Sequence, residues 1–149
     1  MPAIYLHAHT VAAAEIDGQG HANNLAFLKW MQDAAIAHST AQGWSGEAYQ
    51  KLAAGWVVRS HHIEYRQPAF EDEPIVVRTW VADMKKVTSL RRYEIVRPTD
   101  DGETLLAVAA TDWAFVNLTT RQPKRIPPEV AGSFEIVADS PTPSLRGEG

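Results

Sequence analysis

The amino-acid sequence predicts an α+β domain, in which one long helix packs against one face of a largely antiparallel five-stranded sheet. Three observations favour this class. One segment of roughly 20 residues places apolar side chains at three- and four-residue steps, which is the helical period. Five other segments alternate with a period of two, which is typical of strands. Polar turns separate the last of these strands, and no internal repeat or second domain is recognisable.

Residues 4–14 alternate loosely and are predicted to form the first strand. In this pattern Leu6 and Ala8 share one face, and His7 and His9 share the other. The two histidines are spaced as a metal pair would be on a strand, but a metal site needs three or four ligands. Because no further ligand is placed nearby, we interpret them as polar residues on a solvated face.

The long helix is predicted to run from Asn23 to about Gln42. Asn23 is a suitable N-cap, because its side chain accepts hydrogen bonds from N–H groups that the first turn leaves unsatisfied. Gly43 is the predicted C-cap. Many alanines make the helix slim, so that a sheet can wrap closely around it. Residues 44–52 are predicted to form one or two helical turns.

Four further strands are predicted, at residues 56–67, 74–84, 89–97 and 104–118. Pro68 ends the first of them, because proline cannot donate to a sheet ladder. Lys85, Lys86 and Val87 form the next turn, and the Asp- and Gly-rich segment 99–103 predicts a hairpin. A loop and a short helix that starts at Pro127 or Pro128 are predicted within residues 123–134.

Composition limits the function. The length of 149 residues suits one domain, which we place at residues 1–135, and the Pro-, Ser- and Gly-rich residues 136–149 are predicted to be a disordered tail. The net charge of −4 argues against nucleic acid as a partner. The absence of cysteine excludes disulfides and a thiol nucleophile. No signal peptide or membrane-spanning run is recognisable, so we expect a cytoplasmic protein without a membrane span.

The segment from Glu15 to Met31 carries the strongest functional signal, because it joins an acidic glycine-containing turn to the start of the long helix. Asp17 is thereby placed close to a helix N-terminus. Free N–H groups and the positive end of the helix dipole gather there and stabilise an anion or a polarised carbonyl oxygen. A carboxylate beside such donors suits acyl transfer. The alternative is that Asp17 only braces the turn.

In these residues the chain resembles the hot-dog-fold acyl-CoA thioesterases, specifically the 4-hydroxybenzoyl-CoA thioesterase-like group. The family pattern is D-x-x-G-H-x-N-N before an aliphatic and aromatic helix, and it is matched without gaps by Asp17, Gly20, His21, Asn23 and Asn24. Weaker matches at residues 57–69 and 88–90 extend the resemblance over about residues 5–130. The chain departs from the family where Glu15 replaces an aspartate, and where Asn24 replaces a histidine that many members carry.

The resemblance implies a single hot-dog domain that hydrolyses an acyl thioester to a free acid and coenzyme A. No metal or redox cofactor is implied, since coenzyme A is part of the substrate. Asp17 is the implied nucleophile or general base, and backbone N–H groups of Gly20 and Asn23 are the implied oxyanion donors. His21 either orients the substrate or Asp17, or only bonds within the loop. Asn24 either contacts the reacting water or is an ordinary first-turn residue.

The acyl-CoA substrate is expected to contact a second group of side chains, and the resemblance implies a homodimer at least, possibly a tetramer, with the site between subunits. The residues predicted to bind substrate or coenzyme A are Arg59, His61, Lys85, Lys86 and Ser89. Two rival functions stay open, a hot-dog hydratase or dehydratase and a non-catalytic acyl-thioester binding module. Two carboxylates inside strands, Glu64 and Asp112, are expected to pair with nearby arginines.

Overall fold

The computed structural model describes residues 3–138, and the predicted disordered tail lies outside them from residue 139 onward. The described chain contains five strands and three α-helices, with one 3-10 turn at Ala13–Glu15. Their bounds, in chain order, are β1 (Tyr5–Thr10), α1 (Asn24–Ala41), α2 (Gly46–Leu52), β2 (Ala54–Tyr65), β3 (Pro74–Val81), β4 (Thr88–Thr99), β5 (Gly102–Asn117) and α3 (Pro128–Ala131).

The five strands form one antiparallel sheet in the order β1-β3-β4-β5-β2. The β3–β4 and β4–β5 connections are hairpins, and the second turns through Asp100 and Asp101 as the sequence predicts. The β2–β3 connection is different, because it crosses from one edge of the sheet to the other side. Strand β2 is therefore an edge strand, which pairs only with β5 within the described chain.

Helix α1 covers one face of this sheet. Asn23 is its N-cap, as predicted, and the Asn23 Oδ1 atom accepts a hydrogen bond of 2.8 Å from the Ala26 N–H group. The C-cap is Gln42, one residue before the predicted Gly43, which follows it with a φ of 97°. The buried stripe of the helix packs on apolar side chains of β3, β4 and β5, and includes Ala26, Phe27, Trp30, Met31, Ala34 and Ala35. The predicted α+β architecture with one helix on an antiparallel sheet is confirmed, and it is that of a single hot-dog domain.

The prediction for the two faces of β1 is wrong. His7 and His9 lie on the half-buried face towards α1, whereas Leu6 points outward and is 62% exposed. The aromatic neighbours of the helix explain this, since the His9 ring lies 5.5 Å from the Trp30 ring and the Tyr5 ring stacks on another buried ring of α1. Polar groups that find partners inside a domain override the simple rule that apolar residues face the core.

Candidate active site

The loop before α1 folds back on itself and holds Asp17 at the surface. The Asp17 N–H group donates to the His21 carbonyl at 2.9 Å, and the Gly20 N–H group donates to the Asp17 carbonyl at 3.1 Å. The Asp17 Oδ1 atom accepts from the Gln19 N–H group at 2.8 Å, which is an Asx-type turn. The Oδ2 atom lies 3.8 Å from His21 Nδ1, and the side chain is 33% exposed. One carboxylate oxygen thus braces the loop while the other faces the region of His21.

Glu15 anchors this loop to the body of the protein. Its Oε1 atom accepts hydrogen bonds from the Ala12 N–H group at 2.8 Å and from His9 Nε2 at 2.9 Å. Its Oε2 atom accepts from Trp30 Nε1 at 2.8 Å, so the carboxylate joins β1, the 3-10 turn and α1. Burial by itself raises the pKa of Glu15, but these three hydrogen bonds outweigh it and lower the pKa below the usual value. The Glu15 backbone also accepts from the Asn23 N–H group, which fixes the start of the helix.

The other residues of the matched motif lie in the Asp17 loop or at the start of α1, and their hydrogen-bonding groups differ in availability. The N–H groups of Gly20 and Asn23, predicted as oxyanion donors, both donate to backbone carbonyls of the loop, and the Asn23 side chain is used in capping. The His21 ring contacts the Ala22 carbonyl at 3.3 Å and the side chain of Gln19. In the part of the chain that the structure describes, the N–H groups of Asn24 and Leu25 make no hydrogen bond, because first-turn N–H groups have no helical partner.

Of the residues predicted to bind coenzyme A, those on β2 already have protein partners. Arg59 pairs with Asp112 across the strands at 3.4 Å, which confirms the predicted pairing, and Glu64 likewise pairs with an arginine. His61 Nδ1 lies 2.8 Å from the hydroxyl of the buried Thr111, and burial lowers the pKa of His61. The β2 side chains therefore stabilise the pairing of β2 with β5.

The remaining predicted residues lie in the connection between β3 and β4 and at the start of β4. Lys85 and Lys86 are exposed in this connection, where the Lys85 N–H group donates to the Thr88 carbonyl at 2.8 Å. Ser89 is buried, and its hydroxyl donates to the Asp83 carbonyl at 2.8 Å. Two exposed cations thus flank a buried serine that lies on the wall of a cavity.

This cavity has a volume of about 550 Å³ and lies between the C-terminal half of α1, helix α2 and the sheet. Its size falls within the range of small-molecule pockets. The walls are mainly aromatic and aliphatic, and are formed by Gln32, Ala35, Ile36, Ser39, Trp44, Gly46, Tyr49, Trp56, Val57, Val58, Val81, Met84, Ser89, Arg91, Trp113 and Phe134. Trp56 and Trp113 line it, whereas Trp80 is fully buried elsewhere.

Within one chain the Asp17 loop and the cavity are separate. Asp17 does not line the cavity, and the first wall residue on α1 is Gln32. Eight residues of helix separate Gln32 from the start of α1, which corresponds to roughly 12 Å along the axis. The two parts also lie at opposite ends of β2. Val58, near the start of β2, lines the cavity. Tyr65, at its end, contacts Phe27 near the start of α1, with ring centroids 5.2 Å apart.

One charged group on the cavity wall is not among the residues selected from the sequence as substrate-binding. Arg91 is 6% exposed, and its Nη1 atom donates to His38 Nδ1 at 2.9 Å and to the Thr79 hydroxyl at 3.1 Å. Burial, together with the charge of Arg91, lowers the pKa of His38 to about 4. The alternation of β4 contained a signal, since Arg91 is in phase with the inward-facing Ser89 and Tyr93.

Two statements about metal ions and membranes apply to residues 3–138. No group of three or more His, Cys, Asp or Glu side chains there is placed to hold a metal ion. No helix of this region is long and apolar enough to cross a membrane.

Comparison with protein families identifies the chain. The model of the thioesterase-like superfamily matches residues 11–134, which is most of the chain. The chain belongs to this superfamily. No curated protein matches its sequence.

Solved structures share the fold. An assumed oleoyl thioesterase from Lactobacillus plantarum is 25% identical with a TM-score of 0.81, and the match covers 93% of this chain but 54% of that one. This chain therefore spans about half the length of that protein. A 1,4-dihydroxy-2-naphthoyl-CoA thioesterase from Synechocystis is 18% identical with a TM-score of 0.78, covering 87% of this chain and 94% of that one. An Asp-to-Asn variant of 4-hydroxybenzoyl-CoA thioesterase, complexed with 4-hydroxybenzoyl-CoA, is 13% identical with a TM-score of 0.82, covering 90% and 100%.

Proposed function

We propose that this member of the thioesterase-like superfamily is an acyl-CoA thioesterase, which hydrolyses an acyl thioester to a free acid and coenzyme A. One observation carries the proposal. The Asp17 carboxylate is held part-exposed by its own loop, directly before a helix whose first N–H groups have no partner in the described chain. A carboxylate and oxyanion donors are the two components that thioester hydrolysis requires.

In the proposed reaction, Asp17 either attacks the thioester carbonyl carbon or removes a proton from the attacking water. The carbonyl oxygen becomes negatively charged in both routes. We assign its stabilisation to the N–H groups of Asn24 and Leu25 and to the helix dipole, because the N–H groups of Gly20 and Asn23 donate within the loop. The C–S bond then breaks and the thiolate takes up a proton. If Asp17 is the nucleophile, this step leaves an acyl anhydride on Asp17, and water then hydrolyses the anhydride to release the acid and restore the carboxylate. In both routes water supplies the hydroxyl of the acid and the proton of the thiol.

His21 is proposed to hold the loop and the Asp17 carboxylate in position, since its Nδ1 atom is 3.8 Å from Asp17 Oδ2. The Asn24 side chain is exposed at the start of α1, and we assign it to the reacting water. Lys85 and Lys86 are the proposed partners of the coenzyme A phosphates, because they are exposed cations beside the cavity. Arg59 and His61 are weaker candidates, since both have partners on β5.

We further propose that the complete site forms between two copies of the chain. Along β2, Val58 at the cavity and Tyr65 near the Asp17 loop are separated by roughly 23 Å, from the strand rise per residue. If two β2 edges pair antiparallel about a two-fold axis, the start of one strand lies beside the end of the other. The cavity of one copy then adjoins the Asp17 loop of its partner. The outer edge of β2, which has no neighbour in the described chain, is also a strand edge that needs covering.

A free-thiol assay with a panel of acyl-CoA esters tests the function. Asp17→Asn is expected to keep the fold and to lower kcat by roughly 10²-fold or more, as for a lost general base. Asp101→Asn, in the exposed β4–β5 turn, is the matched control and is expected to keep full activity. Near-normal kcat in Asp17→Asn would remove Asp17 from the mechanism. Binding without thiol release would favour a binding module, and hydration of an enoyl chromophore would favour a hydratase.

Mixed dimers test the shared site. Asp17→Asn disables one component, and Val58→Trp is expected to block the cavity mouth. If each site takes Asp17 from one chain and the cavity from the other, a hybrid of these two variants holds one intact site and recovers about half of the wild-type activity. If sites are built within one chain, verified hybrids stay inactive. A fully active monomer near 16.5 kDa in light scattering would also refute the proposal.

A further inference from the structure

Arg91 brings a positive charge to the wall of an otherwise mainly apolar cavity. It lies on β4, and 6% of its surface is exposed. The guanidinium carbon is 5.9 Å from the centre of the Phe134 ring, which covers one face of the group. A cation in such surroundings is strongly destabilised unless an anion or several hydrogen bonds compensate for lost hydration.

The protein supplies only part of this compensation. Both hydrogen bonds of the guanidinium come from Nη1, and both acceptors, His38 Nδ1 and the Thr79 hydroxyl, are uncharged near neutral pH. Within residues 3–138, no Asp or Glu carboxylate forms an ion pair with Arg91, and its Nε and Nη2 groups make no hydrogen bond. Arg78 on β3 is a useful contrast, since it pairs with two carboxylates, Glu94 and Glu103. The chain can therefore supply anionic partners to a half-buried arginine, and does not do so at the buried Arg91.

Several other polar groups on the cavity wall are already occupied, whereas Trp113 Nε1 has no hydrogen-bond partner within residues 3–138. The Ser89 hydroxyl donates to the Asp83 carbonyl, and the Ser39 hydroxyl donates to the Trp44 carbonyl. Trp56 Nε1 donates to the Tyr49 hydroxyl at 2.9 Å. Arg91 is thus the wall group with the largest unused capacity to donate hydrogen bonds to a ligand.

We infer, on the basis of the proposed thioesterase function, that the substrate is an acyl-CoA whose acyl group ends in a carboxylate, and that Arg91 receives this carboxylate in the cavity. The Nε and Nη2 edge of a guanidinium matches the two oxygens of a carboxylate. The apolar walls suit the carbon chain between the two ends. The thioester then lies at the cavity mouth, where the Asp17 loop of the partner copy is proposed to act. Arg91 is in this view a specificity-determining residue.

Matched thioesters test this inference in the wild-type protein. Succinyl-, adipoyl- and suberoyl-CoA are compared with butanoyl-, hexanoyl- and octanoyl-CoA, which have a methyl group in place of the second carboxylate. In the pair of thioesters that fits best, we expect kcat/KM to be roughly 10- to 100-fold higher for the member with the carboxylate. This ratio is the effect expected of hydrogen bonds between two charged groups. A preference for the neutral member in every pair would overturn the inference and leave the proposed function standing.

Variants assign the preference to Arg91. Arg91→Met is expected to reverse it, with the neutral thioester hydrolysed at least as well as by the wild type. Arg91→Lys retains the charge without the paired N–H geometry and is expected to keep a reduced preference, which covers the case that Arg91→Met does not fold. Arg92→Met, an exposed neighbour on the opposite face of β4, is the control and should leave the ratio unchanged. A carboxylate preference that persists in Arg91→Met would refute the role of Arg91.

A binding measurement separates the two proposals. If no thioester releases thiol, the proposed function fails, and the cavity is tested by thermal denaturation with free hexanoic acid or with uncharged hexanamide of the same chain length. We then expect hexanoic acid to raise the Tm of the wild type more than hexanamide does, and to lose this advantage in Arg91→Met. Equal shifts for the acid and the amide would overturn the carboxylate site.

Discussion

The two ends of α1 hold buried charges in opposite ways. At the N-terminal end, the Glu15 carboxylate accepts three hydrogen bonds that use both oxygens. Beside the C-terminal half, the Arg91 guanidinium donates from one nitrogen only, to two uncharged acceptors. Burial does not explain the difference, since Glu15 has a side chain 14% exposed and Arg91 is 6% exposed. The more deeply buried charge has the weaker set of partners.

This difference separates a structural charge from a ligand-binding one. A carboxylate that accepts all its hydrogen bonds from the protein fixes the groups around it, and Glu15 thereby positions the loop of Asp17. A guanidinium with unused donors inside a cavity is stabilised further only when a ligand enters. Under the proposed function, the Asp17 loop is therefore preorganised by the fold, whereas the cavity beside Arg91 is completed by the substrate.

The largest expected effect is the loss of stability when Glu15, before the N-terminal end of α1, is replaced. Glu15→Gln keeps the shape of the side chain but replaces one acceptor oxygen with an NH₂ group. Whichever way the amide is oriented, that group faces the N–H of Ala12 or of Trp30, so one donor opposes another. We expect the free energy of unfolding to fall by about 2–4 kcal/mol, measured by urea denaturation.

The control for Glu15 is Glu71→Gln, because Glu71 is exposed in the loop between β2 and β3. This exposed change is expected to alter the free energy of unfolding by less than about 0.5 kcal/mol. An equally small effect of Glu15→Gln would show that the three hydrogen bonds do not hold the loop in solution.

The second prediction concerns the pH dependence of the free energy of unfolding, to which His38 beside Arg91 contributes. Burial and Arg91 lower the pKa of His38 to about 4, so between pH 6.5 and 4 the unfolded chain binds a proton here that the folded chain does not. The unfolded state is therefore favoured increasingly as pH falls through this window. We expect His38 to contribute a loss of about 3 kcal/mol across it, on an order-of-magnitude basis. Urea denaturation at a series of pH values measures the slope.

His38→Asn tests the assignment, because an Asn carbonyl oxygen still accepts a hydrogen bond from Arg91 but does not titrate. Its overall stability is expected to be lower, since the His38 ring also stacks on Tyr5 and contacts Phe134. Its pH slope should nevertheless be flatter than that of the wild type. His62→Asn, at an exposed position of β2, should keep the wild-type slope. A His38→Asn slope as steep as the wild-type one would place the proton uptake elsewhere.

Local sequence signals predicted most of the fold and the turn that holds Asp17. The N-cap Asn23, the alternating strands and the β4–β5 turn depend on neighbours along the chain, and each was predicted close to its observed place. The Asp17 loop is also closed by short-range hydrogen bonds. The role of Glu15 escaped prediction, because its partner Trp30 lies 15 positions away and is reached only through folding.

The cavity and the contacts of Arg91 could not be predicted from neighbours along the chain. Arg91 meets His38 across a separation of 53 positions, and the cavity joins α1, α2 and several strands. The face of β1 was mispredicted for a related reason, because the partner of His9 is supplied by the following turn rather than by solvent. The phase of a strand shows which side chains face inward, but not whether an inward charge has a counter-ion.

The smallest expected effect is on the stability of the ligand-free protein when Arg91 is removed. Arg91→Met replaces a buried charge without a carboxylate partner by an apolar side chain of similar length, so little favourable energy is lost and a desolvated charge is relieved. We expect the free energy of unfolding to stay within about 1 kcal/mol of the wild-type value. The same change at Arg78 leaves the fully buried Glu94 without its Arg78 partner and should cost about 3 kcal/mol or more. If Arg91→Met destabilised the ligand-free protein as strongly as Arg78→Met, Arg91 would be a structural charge like Glu15, and the contrast between the two ends of α1 would not hold.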